Sequence, residues 1–420
     1  MKTQAVRLYG KKDLRLETFD LPTPGADEIQ AHIISDSICM SSYKAASQGS
    51  EHKRVPDDIA KNPIIIGHEF CGEITKVGDK WKSQFQVGQK FAIQPALNYK
   101  GSLEAPGYSY RYIGGDAQDV IIPNEVMEMN CLLGFQGDAF YMGSLAEPMS
   151  CIVGAYHANY HTKGGSYVHE MGIVKGGNVA ILAGAGPMGL GAVDYAIHSD
   201  RKPGLVVVTD IDDTRLARAA SIFTPEAAVK HGVKLLYVNT GNKEDAQAYL
   251  MSLTNNNGYD DVFVYAPVKP VVELADRILA KDGCLNFFAG PTDPTFSASF
   301  NFYNVHYAST HVVGTSGGNT DDMIESLKMM GEGKLNPSAM ITHVGGLDAV
   351  VSTTLNLPNI PGGKKLVYNN IKMELTALSD FEAKGASNPM FKELASIVKS
   401  HNGLWSPAAE KFLLAKAPKL

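Results

Sequence analysis

The chain has 420 residues, 44% of them hydrophobic and 20% charged, and a formal net charge of −6. That length suits two domains with sizeable cores, and the charge excludes a strongly basic nucleic-acid binder. No apolar run is long enough to span a membrane, and the start, "MKTQAVRLYGKKDLRLE", lacks an apolar signal core, so a cytoplasmic protein is expected.

From the N-terminus to about residue 150, short apolar runs such as "AVRLY", "IQAHIIS", "GEITKVG", "KFAI" and "DVIIP" alternate with Gly, Pro and Asp. This is a β-rich pattern. From about 155 to 316, "NVAILAGAG", "LVVVTDID", "KLLYVNT", "DDVFVYA" and "CLNFFAG" read as buried strands of a parallel sheet. Helical segments such as "VVELADRILA" lie between some of them. "DDMIESLKMMGEG" follows as a helix whose Met323, Leu327 and Met330 recur at core spacing. In the tail, Asn388 and Pro389 are an N-cap and first position for a helix with Phe391, Leu394 and Val398 on one face, ended by Gly403. The expected division is 1–154, 155–316, and a third stretch, 317–420, that returns to the first domain and carries a helical extension. Five cysteines, Cys39, Cys71, Cys131, Cys151 and Cys284, are too few and too scattered for a disulfide framework.

"NVAILAGAGPMGLGAVDYA" sets Gly184, Gly186 and Gly189, with Pro187 and Met188 between them, after a strand and before a helix. The first glycine permits a tight turn, the second lets a pyrophosphate approach the backbone, and the third lets helix and strand pack closely. The next strand ends at Asp210, whose carboxylate can accept hydrogen bonds from ribose hydroxyls. A glycine turn of purely structural purpose would not require that agreement. Asp210 repels a 2′-phosphate, which favours NAD(H) over NADP(H), although Arg215 nearby can assist a phosphate.

Within "IIIGHEFCGEI", His68 and Glu69 interrupt an apolar strand. Buried residues of this kind need partners. Together with Cys39 and Glu147 they offer ligands for a catalytic zinc built from separated loops. Taken singly, a cysteine in an apolar run is more often core, and a histidine after glycine more often an ordinary hydrogen-bonded residue.

"ICMSSYK", "GHEFCGEITKVG", "GGDAQDVIIP" and "LAEPMSCIVGAYHA" resemble the zinc-dependent medium-chain dehydrogenase family, and within it the polyol dehydrogenases. The glycine-rich and Asp210 segments match that family's cofactor segments. The resemblance implies a GroES-like catalytic domain plus a doubly wound Rossmann domain, an active site in the cleft between them, and a homodimer or homotetramer. It implies one zinc per subunit on Cys39 and His68, completed by Glu69 or Glu147, with water or substrate in the fourth place. Ser41 matches the family's proton-passing hydroxyl, with Lys44 a next acceptor. The loop "QPALNYKGSLEAPGYSYRYIGG" lacks the cysteines of the family's structural zinc. Ser42 replaces the family's aspartate, which weakens the support expected for the histidine ligand. The tail resembles the L-sorbose 1-phosphate reductase group, which implies reduction of a ketose phosphate to D-glucitol 6-phosphate. His52, Lys53 and Arg54, with Lys44 and Arg111, are the cations available to a substrate phosphate. The alternatives are a sorbitol-type enzyme for unphosphorylated polyols, a zinc-free reductase of the same fold, and a non-catalytic dinucleotide-binding protein.

Overall fold

The computed structural model describes residues 1–420. The chain forms two compact units, Met1–Pro148 with Ser326–Leu420, and Met149–Glu325. The sequence places the borders at 154/155 and 316/317 instead. Both changes of unit fall inside helices, Ala146–Ala158 and Thr320–Gly331, and a continuous helical pattern carries no mark of a border.

In the first unit the short apolar runs become strands, among them Lys2–Gly10, Ile29–Ile38, Phe70–Val77, Lys90–Ile93 and Asp119–Ile122. In Ile29–Ile38 the fully buried Ile29, Ala31 and Ile33 alternate with the partly exposed Gln30 and His32, as a pleated strand requires. An eight-stranded sheet runs in the order Thr376–Ala377, Ile341–Gly346, Lys364–Tyr368, Ile29–Ile38, Phe70–Val77, Lys90–Ile93, Leu132–Gly134, with Asp119–Ile122 also paired to Ile29–Ile38. Ile29–Ile38 therefore lies between Lys364–Tyr368 and Phe70–Val77 and is antiparallel to both. Its register sets Ile38 opposite Lys365 and Asp36 opposite Phe70. Cys39, Lys364 and Glu69, each one residue beyond those positions or the strand's first, are thereby gathered at one end of the sheet.

The tail belongs to this unit. Asn388 accepts the Met390 N–H at 2.9 Å, and Pro389 opens the helix Pro389–Ser400. Gly403, at φ 78°, donates to the Val398 carbonyl at 2.9 Å and closes it. A second helix, Pro407–Lys416, starts at the Ser406 cap. Phe381, Phe391, Leu394, Trp405 and Leu413 share one core with Tyr141, Leu145, Leu366 and Tyr368.

The second unit is a six-stranded, wholly parallel sheet in the order Lys234–Asn239, Leu205–Asp210, Asn178–Leu182, Tyr259–Val264, Leu279–Phe287, His311–Val313. Numbered along the chain this is 3-2-1-4-5-6, the doubly wound order, whose switch point lies at the Asn178–Leu182 strand. Every residue of Leu205–Asp210 is buried, as expected of a strand covered on both faces. No helix is long and apolar enough to cross a membrane.

Candidate active site

The chain turns sharply between the strands Ile64–Ile65 and Phe70–Val77. Gly67 sits at φ 90°, and a Cβ there would come within 2.7 Å of both the Asp116 backbone nitrogen and Asp36 Oδ2. No other residue fits. The turn brings two sequence neighbours, which an extended strand would point apart, to one place: ligand atoms of Cys39, His68 and Glu69 all lie within 4.8 Å of one another. Glu147 stands outside that trio but close enough to feel it. Burial pushes its carboxyl up to about 7, while His68 pulls in the opposite direction.

A sulfur, an imidazole and a carboxylate suit zinc, and here a specific atom wants a partner. Glu69 Oε2 is buried and makes no hydrogen bond. The other oxygen, Oε1, accepts from Lys364 Nζ at 2.5 Å. Both side chains are buried. Burial alone would discharge Lys364, but Cys39 and Glu69 beside it hold its pKa above the usual lysine value. A buried carboxylate with one oxygen fixed and one unpartnered is a ligand waiting for a cation. Burial also raises the Cys39 thiol, opposed by Lys364. It disfavours the His68 imidazolium and leaves a neutral ring available to a metal.

The supporting contacts differ from the sequence expectation in one respect. Ser42, the residue that replaces an aspartate, does reach the histidine: its hydroxyl lies 3.3 Å from His68 Nδ1, in the interior. The support expected from an aspartate is thus supplied by a neutral hydroxyl instead. Ser41 Oγ is 3.2 Å from Cys39 Sγ. Lys44 lies one turn further along the same helix, Met40–Gln48, on the Ser41 side.

Four supporting residues escape a sequence reading. Tyr108, in the cysteine-free loop, sets its hydroxyl 3.2 Å from His68 Nε2, with ring centroids 4.8 Å apart. Burial raises its pKa strongly, so it remains a phenol. The run "GYSYRY" was its only local signal. Lys364 hides in "GGKKLVY", where a lysine pair reads as surface. Asp36 and Asp116 form a buried pair beneath the Gly67 turn, and Asp36 Oδ1 accepts the Glu69 N–H at 3.1 Å. Burial raises both carboxyls, Asp116 to about 7. Asp36 Oδ2 and Asp116 Oδ1 are buried without a hydrogen-bond partner, which favours a protonated carboxyl in this pair.

In the second unit, the strand Asn178–Leu182 leads through the glycine turn into the helix Pro187–His198. A Cβ on Gly189 would strike the Gly184 carbonyl oxygen at 2.2 Å, so this glycine allows the helix to close onto the turn. Gly186, at the helix N-cap with Pro187 and Met188 after it, faces open space: a Cβ there meets nothing within 4 Å. This is the bare backbone that a pyrophosphate needs. Asp210 ends its strand, with Oδ1 fixed by the Ile211 and Asp212 N–H groups at 2.8 and 3.2 Å. Arg215 is exposed and lies 3.8 Å from Asp212.

A GroES-like β unit bearing a Cys-His-Glu cluster and a doubly wound unit bearing a glycine turn define a zinc-type nicotinamide dehydrogenase. Residues 25–148 match the alcohol dehydrogenase GroES-like domain, and residues 187–332 match the zinc-binding dehydrogenase domain. The chain is 52% identical over 413 residues to mannitol-1-phosphate 5-dehydrogenase of Aliivibrio fischeri, covering 98% of this chain and 97% of that one. It is 50% identical over 415 residues to L-sorbose 1-phosphate reductase of Klebsiella pneumoniae, covering 99% and 98%. The crystal structure of 2R,3R-butanediol dehydrogenase from Bacillus subtilis shares the fold, with a TM-score of 0.69 and 19% identity over 88% of this chain and all of that one. The chain belongs to the zinc-binding medium-chain alcohol dehydrogenase family, and it is a zinc-dependent, NAD(P)-binding oxidoreductase of the polyol dehydrogenase type.

Proposed function

We propose that this enzyme transfers hydride between NAD(H) and a ketose phosphate–hexitol phosphate pair, with L-sorbose 1-phosphate and D-glucitol 6-phosphate as the first pair to test. The observation that carries the reading is near-complete similarity, at half identity or better, to two enzymes whose names both specify a phosphorylated six-carbon substrate. In the reductive direction, ketose phosphate, NADH and a proton give hexitol phosphate and NAD⁺.

Cys39, His68 and Glu69 hold the zinc in this reading, and Glu147 stands beside them. When bound, zinc supplies Lewis acidity toward the substrate oxygen. Ser42 orients His68, and Lys364 holds one oxygen of Glu69 so that the other faces inward. Ser41 gives the substrate oxygen its proton in reduction and takes it in oxidation, passing it toward Lys44. The glycine turn seats the pyrophosphate, and Asp210 takes the ribose hydroxyls, which favours NAD(H). The test is a kcat/KM comparison of L-sorbose 1-phosphate, D-fructose 6-phosphate and the two free ketoses with NADH, beside metal analysis of the purified protein. A free ketose that reacts as well as both phosphates would return the enzyme to the sorbitol-dehydrogenase pattern. Protein free of zinc after purification without chelator, yet fully active, would remove the metal from the mechanism.

A further inference from the structure

Beyond Tyr108 stand two basic side chains, His52 and Arg54, that the chemistry so far leaves without work. The His52 ring lies parallel to the Tyr108 ring, with centroids 5.7 Å apart and planes at 8°. The Arg54 guanidinium carbon stands 5.6 Å from the same ring centre. Tyr108 in turn touches His68 with its hydroxyl. His52 and Arg54 are therefore one aromatic side chain removed from the metal-ligand cluster.

Position within the chain explains why they stay together. The Arg54 N–H lies 3.3 Å from His52 Nδ1, and the Ser109 hydroxyl donates to the Arg54 carbonyl at 2.7 Å. That bond ties the 52–54 segment to the Tyr108 loop. Of the guanidinium, one nitrogen, Nη1, donates to the Leu103 carbonyl at 3.2 Å. No carboxylate lies within ion-pair distance of Arg54 or Lys53. Glu51, which precedes them, is already paired with Lys11. Burial lowers the His52 pKa, and the charges of Arg54, Lys53 and Lys44 lower it further. Arg54 and Lys53, neither of them paired with a carboxylate, repel one another and favour an anion between them. Arg111 does not join this group: it is exposed and stands over the Tyr112 ring.

We infer that Arg54, with His52 beside it at the Tyr108 ring, is the subsite for the substrate's phosphate. This rests on the sugar-phosphate reading above and adds the group that would enforce it. An arginine with free N–H groups matches a phosphate in two-point geometry, and the Tyr108 face keeps the guanidinium plane oriented. The two relatives' substrates place their phosphate differently. In L-sorbose 1-phosphate it adjoins the reacting carbon, whereas in a mannitol 1-phosphate oxidised at C5 it lies four carbons away. The chemistry at Arg54 is the same for both.

The experiment measures kcat/KM with NADH for L-sorbose 1-phosphate, D-fructose 6-phosphate and their free ketoses, in the zinc-loaded wild type, Arg54→Gln, Arg54→Lys and Arg111→Gln. Arg54→Gln is expected to reduce the phosphate-to-free ratio about ten- to a hundredfold, chiefly through KM, with zinc content unchanged. Arg54→Lys should recover only part of the ratio, and Arg111→Gln should leave it unaltered. The phosphate ester with the larger wild-type ratio identifies which substrate geometry the subsite serves. Inorganic phosphate should compete with a free ketose in the wild type, a measurement that stands even if Arg54→Gln fails to fold. A wild type that prefers the phosphates, but whose ratio survives both Arg54 substitutions, overturns the subsite and leaves the sugar-phosphate reading standing. A wild type without phosphate preference overturns that reading, and the subsite with it.

Discussion

Ser42 shows how a single position can be misjudged from its letter. As a replacement for aspartate it reads as lost support, yet the helix Met40–Gln48 carries it to 3.3 Å from His68 Nδ1. Replacing it with alanine would leave that nitrogen without its partner, and ligand orientation of this kind is worth roughly ten- to a hundredfold in metal affinity. Ser42→Ala is therefore expected to hold zinc about tenfold less tightly in competition with a chelator, while NADH binding measured by fluorescence is retained. Unchanged zinc affinity would show that the contact orients nothing. Asp210 is the second test at this scale. Its carboxylate is fixed in place by two backbone N–H groups, and Arg215 lies beside Asp212. Asp210→Ala should narrow or reverse the ratio of kcat/KM with NADH to that with NADPH. Equal values in the wild type would contradict the assignment. Local spacing reveals the glycine turn, whereas Cys39, His68 and Glu69 stand out in the sequence through the family resemblance of the short motifs that carry them. Lys364 and Asp36 were hidden because their place depends on pairings between strands far apart in sequence, and Tyr108 because its loop meets His68 only in the folded chain.

At the scale of elements, two acid-bearing helices can be tested through their charges. In the second unit His157 lies 2.8 Å from Asp322 and 3.4 Å from Glu325, whose other oxygen accepts from the Tyr195 hydroxyl at 2.6 Å. Its pKa is pushed up to about 9, first by the Asp322 hydrogen bond and then by that with Glu325. Because the folded value exceeds the ordinary 6.5, the charged form stabilises the fold. That contribution is complete below about pH 6.5 and fades as the pH rises through about 9. His157→Gln should lower the thermal midpoint at pH 6 and make little difference at pH 10. A gap that widened with pH would show that the cluster acts by packing instead. In the first unit the Glu410 carboxylate accepts the Phe140 and Tyr141 N–H groups at 2.7 and 2.9 Å and the Tyr368 hydroxyl at 2.8 Å. It is an acid at the start of the short helix Phe140–Ser144, supplied by a helix far along the chain. Glu410→Ala would strand those donors in the interior at a cost of roughly 3 kcal/mol in urea unfolding. A loss below about 0.5 kcal/mol would place water at those donors.

At the scale of the molecule, the tail is where sequence reading stopped short. Its first helix was legible from Asn388, Pro389 and the Phe391, Leu394, Val398 stripe, because caps and periodicity are local. Its purpose was not, because the stripe's partners are Tyr141, Leu145, Leu366 and Tyr368, contributed by two earlier stretches of chain. Trp405 is 1% exposed and donates its indole N–H to the Tyr368 hydroxyl at 2.8 Å, which in turn donates to Glu410. The chain end is tied down as well: the Lys372 N–H donates to the Pro418 carbonyl at 2.8 Å, and the Leu420 N–H to that of Asn370 at 3.3 Å. A segment that completes a core and satisfies buried polar groups is not a detachable extension. Fully burying even one large apolar side chain is worth about 1.5–3 kcal/mol, and the tail contributes Phe381, Phe391, Leu394, Trp405 and Leu413 to this core. Their combined loss approaches or exceeds the whole stability of an ordinary domain. A chain ending at Ile371 is therefore expected to lose cooperative unfolding in its catalytic unit and to bind a hydrophobic dye. It should also fail to retain zinc, because the strand Lys364–Tyr368, which carries the Glu69 partner Lys364, forms part of the exposed core. A truncated protein that still unfolds cooperatively and holds one zinc would show that the tail only covers a core the rest of the unit already completes.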